Sequence, residues 1–178
     1  MTSYSVREAR PSEMDEIYHV RYEIFYREFG VIEEGGVLDG KECDALDNRA
    51  HHIVSLCDDM IVGYTRLIHF SKDTCFPIEK SASIPTHFDR TKCIEVSRGL
   101  VVPSHRKSIA LQLLMDEIYR YGIAQHIPYL LSFSNDTMMH NWEKRGVRFS
   151  YIGEPLSYYG HRSWPLVIEI ASLRPRCP

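Results

Sequence analysis

The stretch Ile94–Leu114, "IEVSRGLVVPSHRKSIALQLL", begins as a buried strand and ends as a helix. Its first half is β-branched and apolar, the pattern of a strand covered on both faces. Pro103 and Ser104 then introduce a helix from about Ser104 to Gln125. Glu95 and Arg98 interrupt the apolar half. Three residues apart on a regular strand, they would point to opposite faces. A β-bulge near Ser97–Gly99 would bring both to one side, and Gly99 is the residue type a bulge favours. It would also bend the strand from its neighbour and free a backbone N–H, a ready oxyanion donor.

Working outward, "YSVREA" (Tyr4–Ala9) alternates as a first strand. "PSEMDEIYHVRYEIFYREF" (Pro11–Phe29) reads as a helix, with Ser12 and Asp15 forming a capping-box start. Residues 30–49 read as a long Gly/Asp-rich loop. "HHIVSLCDDMIVGYTRLIHF" (His51–Phe70) is a hairpin about a tight Asp58-Asp59 turn. After an irregular stretch near 71–91 come the opening strand and its helix, then a short strand, "PYLLSFS" (128–134). A helix capped by Asn135 or Asp136 runs through Lys144. Strands "RFSYIG" (148–153) and "PLVIEIA" (165–171) follow, with "EPLSYYGHRSW" (154–164) looping between them. The order β-α-ββ-β-α-β-α-β-β predicts an α/β (α+β mixed-sheet) fold with helices on both faces, as one domain over 1–178. Residues 93–133 form a βαβ unit, and ligands of such units gather near strand ends.

The net charge of −3 gives no reason to expect nucleic-acid binding, and no apolar run is long enough for a membrane helix. Five scattered cysteines without a CxxC pair fit reduced thiols. The N-terminal segment lacks a signal-peptide layout, so a cytoplasmic protein is expected. His51, His52 and His69 lack a convincingly spaced further ligand, so no metal site is expected. Cys93 has no recognisable base partner and reads as a buried thiol.

Charged residues fall on faces that should be apolar. Helical spacing places Met14, Ile17, Tyr18, Arg21, Phe25 and Phe29 on one stripe, with Arg21 at its centre. Arg66 shares a strand face with Val62, Tyr64 and Ile68. "DGKECDALDNRAHH" supplies Asp39, Asp44 and Asp47. Three arginines (Arg21, Arg66, Arg98) and about three acids suit one partly enclosed ionic cluster, because buried charges are costly unless paired. Such a cluster marks either a reaction site or a purely architectural core.

A bulged strand leading into a turn and a helix N-terminus resembles the GNAT N-acyltransferase fold. That resemblance implies an acyl thioester lying between splayed strands, with the donor phosphate at the helix N-terminus. The family's Gln/Arg-x-x-Gly-x-Gly/Ala turn corresponds here to "HRKSIA". His105, Arg106, Lys107, Ser108 and Ala110 would then hold the donor, with Ser108 replacing the middle glycine. The chain is more specifically similar to acyl-homoserine-lactone synthases and long-chain N-acyl amino acid synthases. Arg21 and Phe25, Asp44 and Asp47, Gly63 with Arg66, and Glu95 with Arg98 match their pattern in order. The Trp that signal synthases carry after the helical Phe is missing, with Phe29 or Val31 in its region, which points to an amino acid or related amine as acceptor. Trp142 stands where many GNAT enzymes place a tyrosine acid, and an indole cannot protonate a thiolate.

The resemblance implies an N-acyltransferase. The donor would be acyl carrier protein, through its phosphopantetheine thioester, or acyl-CoA; the acceptor would be a small amine. Main-chain N–H groups near Leu100 to Val102 would polarise the thioester carbonyl. Glu95 would accept the amine proton or serve as an ion-pair partner of the arginines. Arg21, Phe25, Asp44, Asp47, Arg66 and Trp142 would form the acceptor side, with Arg98 beside the reacting centre. Arg106, Lys107 and Arg120, with Arg145 and Arg148, are candidates for docking an acidic carrier protein. An acetyl-CoA-dependent GNAT acting on a small amine, and a non-catalytic acyl-binding domain, are the alternatives.

Overall fold

Two aspartates in the left-handed region, Asp58 (φ 47°) and Asp59 (φ 70°), connect β4 (Ala50–Cys57) to β5 (Met60–His69). A two-residue turn with both φ positive matches the twist of the strands it joins, so the hairpin forms where the sequence places it. Residues 2–32, 36–158 and 160–175 are described in the computed structural model. The other elements are β1 (Tyr4–Glu8), α1 (Met14–Arg21), β2 (Val37–Leu38), β3 (Lys41–Glu42), β6 (Cys93–Val101), α2 (Ala110–Ala124), β7 (Tyr129–Asn135), α3 (Asp136–Lys144), β8 (Phe149–Tyr151), β9 (Leu156–Tyr158) and β10 (His161–Glu169).

The chain forms two compact units, one of residues up to 67 with 97–117, the other of 68–96 with 118 onward. In the first, β1, β4, β5 and the C-terminal half of β6 lie in that order. In the second, the N-terminal half of β6 is followed by β7, β10 and β8, with β9 beside β10. The rungs Cys93↔Tyr129, Ile94↔Leu130 and Glu95↔Leu131 are parallel, whereas β1–β4, β7–β10, β8–β10 and β9–β10 are antiparallel. The eight strands therefore make a mixed sheet, with α2 as the crossover between parallel partners. No helix among the described residues is long and apolar enough to cross a membrane.

Several boundaries differ from the sequence reading. Ser12 does not cap the first helix. Residues Pro11–Glu13 form a 3-10 turn, and the Glu13 carboxylate reaches back to the Arg10 amide at 2.7 Å while clamping Arg7 at 2.6 and 2.8 Å. The Arg7 hydrogen bond holds the Glu13 carboxyl down at about 2. Beyond Arg21 the helix widens into a π-helix over Tyr22–Glu28. The wider turn breaks the 3.6-residue stripe, so Ile24 and Phe25 are buried while Phe29, expected inside, is 44 % exposed. Helix α2 starts at Ala110 rather than Ser104, because Pro103–His105 forms its own 3-10 turn. The presumed loop at 30–49 contains the β2–β3 hairpin, turning through Asp39 (φ 50°) and Gly40 (φ 71°). Within 154–164, β9 pairs with the start of β10; Tyr159 lies outside the described residues.

In β6 the left-handed residue is Arg98 (φ 54°), not Gly99, around which a Cβ would meet only Thr65 Oγ1 at 3.9 Å. A non-glycine residue in this region costs about 1–2 kcal/mol. Its side-chain contacts, described below, offset that strain.

Gly63 in β5 is set by close approach rather than by φ. A Cβ there would overlap Ser55 Oγ and lie 3.2 Å from Leu114 Cδ1 and 3.3 Å from the Leu100 carbonyl. Ser55 Oγ is itself buried without a hydrogen-bond partner among the described residues. Gly63→Ala is expected to destabilise by about 1–3 kcal/mol in urea titrations. Ser55→Ala should be neutral or stabilising by up to about 1 kcal/mol and should recover part of the loss in the double variant.

Candidate active site

Arg21 ends α1 on its buried face, where the helix passes into the π-helix, and it is 0 % exposed. Its Nε donates to Glu42 Oε2 at 2.6 Å and its Nη1 to Asp47 Oδ1 at 2.7 Å. Arg66 projects from β5 and reaches the same Asp47 Oδ1 at 2.7 Å. It also holds Asp44 through two nitrogens (2.6 and 3.1 Å) and Ser97 Oγ through Nε (3.0 Å). Arg98, turned by its left-handed backbone, forks onto Glu42 at 2.9 to 3.2 Å and pairs with Asp44 at 3.5 Å. Three guanidiniums thus meet three carboxylates in one network within the first unit.

The acids are presented by short local structures. Glu42 follows the tight β2–β3 turn, whose alternation leaves Lys41 paired with Asp15 and points Glu42 inward. Asp44 and Asp47 bracket a turn in which the Asp44 amide donates to Asp47 Oδ2 and the Leu46 amide to Asp44 Oδ1, both at 2.8 Å. A 3-10 turn, Asp47–Arg49, then leads into β4. Aromatic rings cover the cations: the Arg21 Cζ lies 5.5 Å from the Tyr18 ring centre and 5.8 Å from that of Tyr64, and Arg98 sits 5.7 Å over Phe25.

Burial opposes every charge here, and pairing overrides it. Desolvation works against the Arg21 cation, yet its hydrogen bond to Glu42 and the neighbouring Asp47 raise its pKa. Arg66 is raised in the same way, with Asp44 as its main support. Burial would push the Asp44 and Asp47 carboxyls up, but Arg66 and Arg21 hold them below the ordinary carboxylate range. The network is open on one side only: the side chains of Arg98 and Asp44 are 16 % and 31 % exposed, against 0–2 % for Arg21, Glu42, Asp47 and Arg66.

The structure therefore brings together Arg21, Phe25, Asp44, Asp47, Arg66 and Arg98, and adds Glu42, which sequence reasoning missed. Asp39 lies exposed in the β2–β3 turn instead. A requirement for charge balance among three clustered arginines, two of them buried, applied to every acid of residues 39–47, was the signal that could have found Glu42. Glu95 is buried in the second unit, and its Oε2 accepts the Ile78 amide at 3.0 Å. Leu100 is buried; the Val102 amide, expected to face a thioester carbonyl, donates to the Val62 carbonyl at 2.9 Å and is engaged there.

In the donor turn, His105 Nδ1 meets Tyr4 Oη at 2.9 Å. The Ser108 hydroxyl donates to the His105 carbonyl at 2.7 Å and accepts the Ala110 amide at 3.1 Å, so the residue replacing glycine caps α2. Ala110 is fully buried beside Cys57 and Val62. Lys107 is exposed. Arg106, expected to face a partner, is held bidentately by Glu28 at 2.6 Å twice, donates to the Val101 carbonyl and covers Phe29. Trp142 is buried in the second unit, 6.4 Å from the Phe149 ring. Cys93 is a poor nucleophile, because burial pushes its thiol up to about 11. Among the described residues no group of three or more His, Cys, Asp or Glu could hold a metal ion.

Asp47→Asn should cost about 3–5 kcal/mol, because it leaves two buried guanidiniums short of one charge. The half-open Asp44→Asn should cost less, and denaturant titration of both variants checks the order. Because Asp44 and Asp47 are held below their unfolded pKa of about 3.9, their stabilisation is complete above that value. It is lost as pH falls through their lower folded values, so the wild-type denaturation midpoint should drop steeply below about pH 4 and Asp47→Asn should flatten that slope.

The family profile described as acetyltransferase (GNAT) domain matches residues 20–116, which contain the whole ionic network and the donor turn. No curated protein matches the sequence. Among solved structures, the CoA-dependent acyl-homoserine lactone synthase BjaI, with SAM and isopentyl-CoA, superposes at a TM-score of 0.75 and 20 % identity, covering 97 % of this chain and 86 % of that one. The acyl-homoserine-lactone synthase LasI gives 0.69 at 20 % identity, covering 96 % and 89 %. FeeM, an N-acyl amino acid synthase from uncultured soil microbes, gives 0.66 at 13 % identity, covering 97 % and 94 %. At these identities the structures establish a shared fold, and the profile match, spanning more than half of the sequence, establishes the family. The chain belongs to the GNAT acetyltransferase-domain family and is an acyltransferase of that type.

Proposed function

We propose that the protein moves an acyl group from the phosphopantetheine thioester of an acyl carrier protein to the amine of an amino acid or related small molecule. The observation that carries this reading is the single open edge of the ionic network. Arg98 offers a guanidinium to an acceptor carboxylate, and Asp44 offers a carboxylate to its ammonium group. The fold shared with FeeM, an N-acyl amino acid synthase, supports the same acceptor class. The donor turn favours a carrier protein: Ser108 occupies one helix-terminal amide and Glu28 neutralises Arg106, which leaves little to wrap a pyrophosphate. BjaI, a CoA-dependent enzyme of the same fold, keeps acyl-CoA as a second reading of the donor. A carrier-protein donor would place the reaction in the cytoplasm.

In the reaction, the bound ammonium group first gives one proton to solvent. The neutral amine nitrogen then attacks the thioester carbon, and its remaining surplus proton passes to Glu95, directly or through one water. The C–S bond of the tetrahedral intermediate then breaks to leave an amide and a thiolate. Trp142 has no proton to give, so the thiolate is protonated from solvent. Main-chain N–H groups near Leu100 would stabilise the oxyanion, with Val102 excluded because its amide is engaged by Val62. Glu95 Oε2 accepts the Ile78 amide at 3.0 Å, which holds the carboxylate in place.

Glu95→Gln keeps an acceptor for the Ile78 amide while removing the base. It should fold like the wild type and lose about 10²-fold in kcat. Glu95→Ala should lose stability as well. Wild-type turnover by Glu95→Gln would remove Glu95 from the mechanism. Acylated carrier protein and acyl-CoA, each offered with a panel of amino acids and read by mass spectrometry of the amide product, decide donor and acceptor. Carrier-protein turnover should fall as salt rises. A product formed only from acyl-CoA would overturn the donor assignment.

A further inference from the structure

His52 lies outside the ionic network and grips it from behind. Its Nε2 is 2.9 Å from the Asp47 carbonyl and its Nδ1 is 2.7 Å from Tyr64 Oη. A carbonyl can only accept, so Nε2 carries the hydrogen; Nδ1 then accepts from the Tyr64 hydroxyl. The two rings lie nearly parallel, 5.9 Å apart at 22°. Tyr64 is fully buried, and its ring is one of the two that face the Arg21 guanidinium. Arg21 Nη2 has no hydrogen-bond partner among the described residues, so the Tyr18 and Tyr64 rings share with Glu42 and Asp47 the task of orienting this cation.

These contacts close a ring: Asp47 carbonyl, His52, Tyr64, Arg21, and back to the Asp47 carboxylate. Asp47 is thereby held at both ends. Its Oδ2 in turn accepts the Asp44 amide, so the position of Asp44 follows from that of Asp47. Asp44 is the carboxylate at the open edge.

We infer that His52 and Tyr64 are positioning residues, which set the Asp47 turn and through it present Asp44 to the acceptor amine. This rests on the reading that Asp44 and Arg98 bind the acceptor. The groups around His52 are the Asp47 turn, Tyr64 and Arg66 from β5, Arg21 from α1, and the adjacent His51. Protonation of His52 would place a hydrogen on Nδ1, evict the Tyr64 hydroxyl as donor and add a cation beside Arg21 and Arg66. Burial, the main cause, lowers the His52 pKa below its usual value, so the ring stays neutral and intact at physiological pH. It opens only on the acid side of the ordinary histidine range.

Three variants test this. Gln at position 52 keeps an N–H where Nε2 stands, so His52→Gln should preserve acceptor KM within about threefold. His52→Leu and Tyr64→Phe should raise acceptor KM about tenfold with donor KM unchanged, and the acid limb of kcat/KM should lose the component belonging to His52 in both His52 variants. Unchanged acceptor KM in Tyr64→Phe and His52→Leu, after correction for folded fraction, would overturn the inference. So would a His52→Gln variant as impaired as His52→Leu. Imidazole ¹⁵N spectra of the whole protein provide a readout that needs no substrate. They should show a neutral Nε2–H tautomer for His52 and a changed Nδ1 shift in Tyr64→Phe; the opposite tautomer would sink the ring. Intact spectra together with failure of every donor and acceptor pair would instead count against the proposed reaction.

Discussion

One carboxylate oxygen, Asp47 Oδ1, accepts from Arg21 and Arg66 at 2.7 Å each, and the first unit is organised around it. The two arginines come from α1 and β5, far apart in sequence, and neither reaches water. Without the shared oxygen two like charges would face each other in a low-dielectric interior, where repulsion is strongest. The helix, the turn and the strand are therefore held together by an electrostatic condition as much as by apolar packing. Such a node contributes specificity of arrangement more surely than net stability, because the desolvation of six charges consumes much of the attraction.

Two departures from regular backbone serve this node. The π-helix after Arg21 rotates the residues that follow, burying Phe25 beneath Arg98 and swinging Phe29 outward. The left-handed backbone of Arg98 turns its side chain so that the guanidinium forks onto Glu42. Both distortions are unfavourable in isolation and persist because the ion pairs over-determine them. The left-handed residue lies where the network is least buried, whereas the π-helix begins at its most buried arginine. The interior of the network is buried and ion-paired, with Arg21 Nη2 left to the aromatic rings, and only the rim formed by Arg98 and Asp44 approaches solvent.

The arginines were visible in the sequence because each broke an apolar period: Arg21 on the helical stripe, Arg66 on the strand face, and Arg98 in a β-branched run. Asp44 and Asp47 were visible from their spacing. Glu42 was hidden because residues 30–49 carry no period long enough to mark a two-residue strand, and the facing of a side chain there depends on the Asp39-Gly40 turn. Gly99 misled for a related reason. Glycine is the cheapest left-handed residue, but φ at position 98 is decided by what the side chain binds, and only Arg98 finds partners. The extent of α2 was misjudged because Pro103 can open either an α-helix or a separate 3-10 turn, and the Ser108 hydroxyl, bonded to the His105 carbonyl and the Ala110 amide, marks where the turn ends and the helix starts.

The sequence by itself determined the order of the longer elements, the parallel unit of residues 93–133, the Asp58-Asp59 hairpin and the presence of a buried ionic cluster, but not the β2–β3 hairpin or β9. Each of these follows from local periodicity, turn chemistry or the cost of burying charge. Tertiary structure alone decided which acid meets which arginine, that Arg106 is answered by Glu28, and that Glu95 holds the Ile78 amide. Pairing depends on distances between elements remote in the chain. Within a few ångströms several partners satisfy the same charge, and only the packed backbone selects among them.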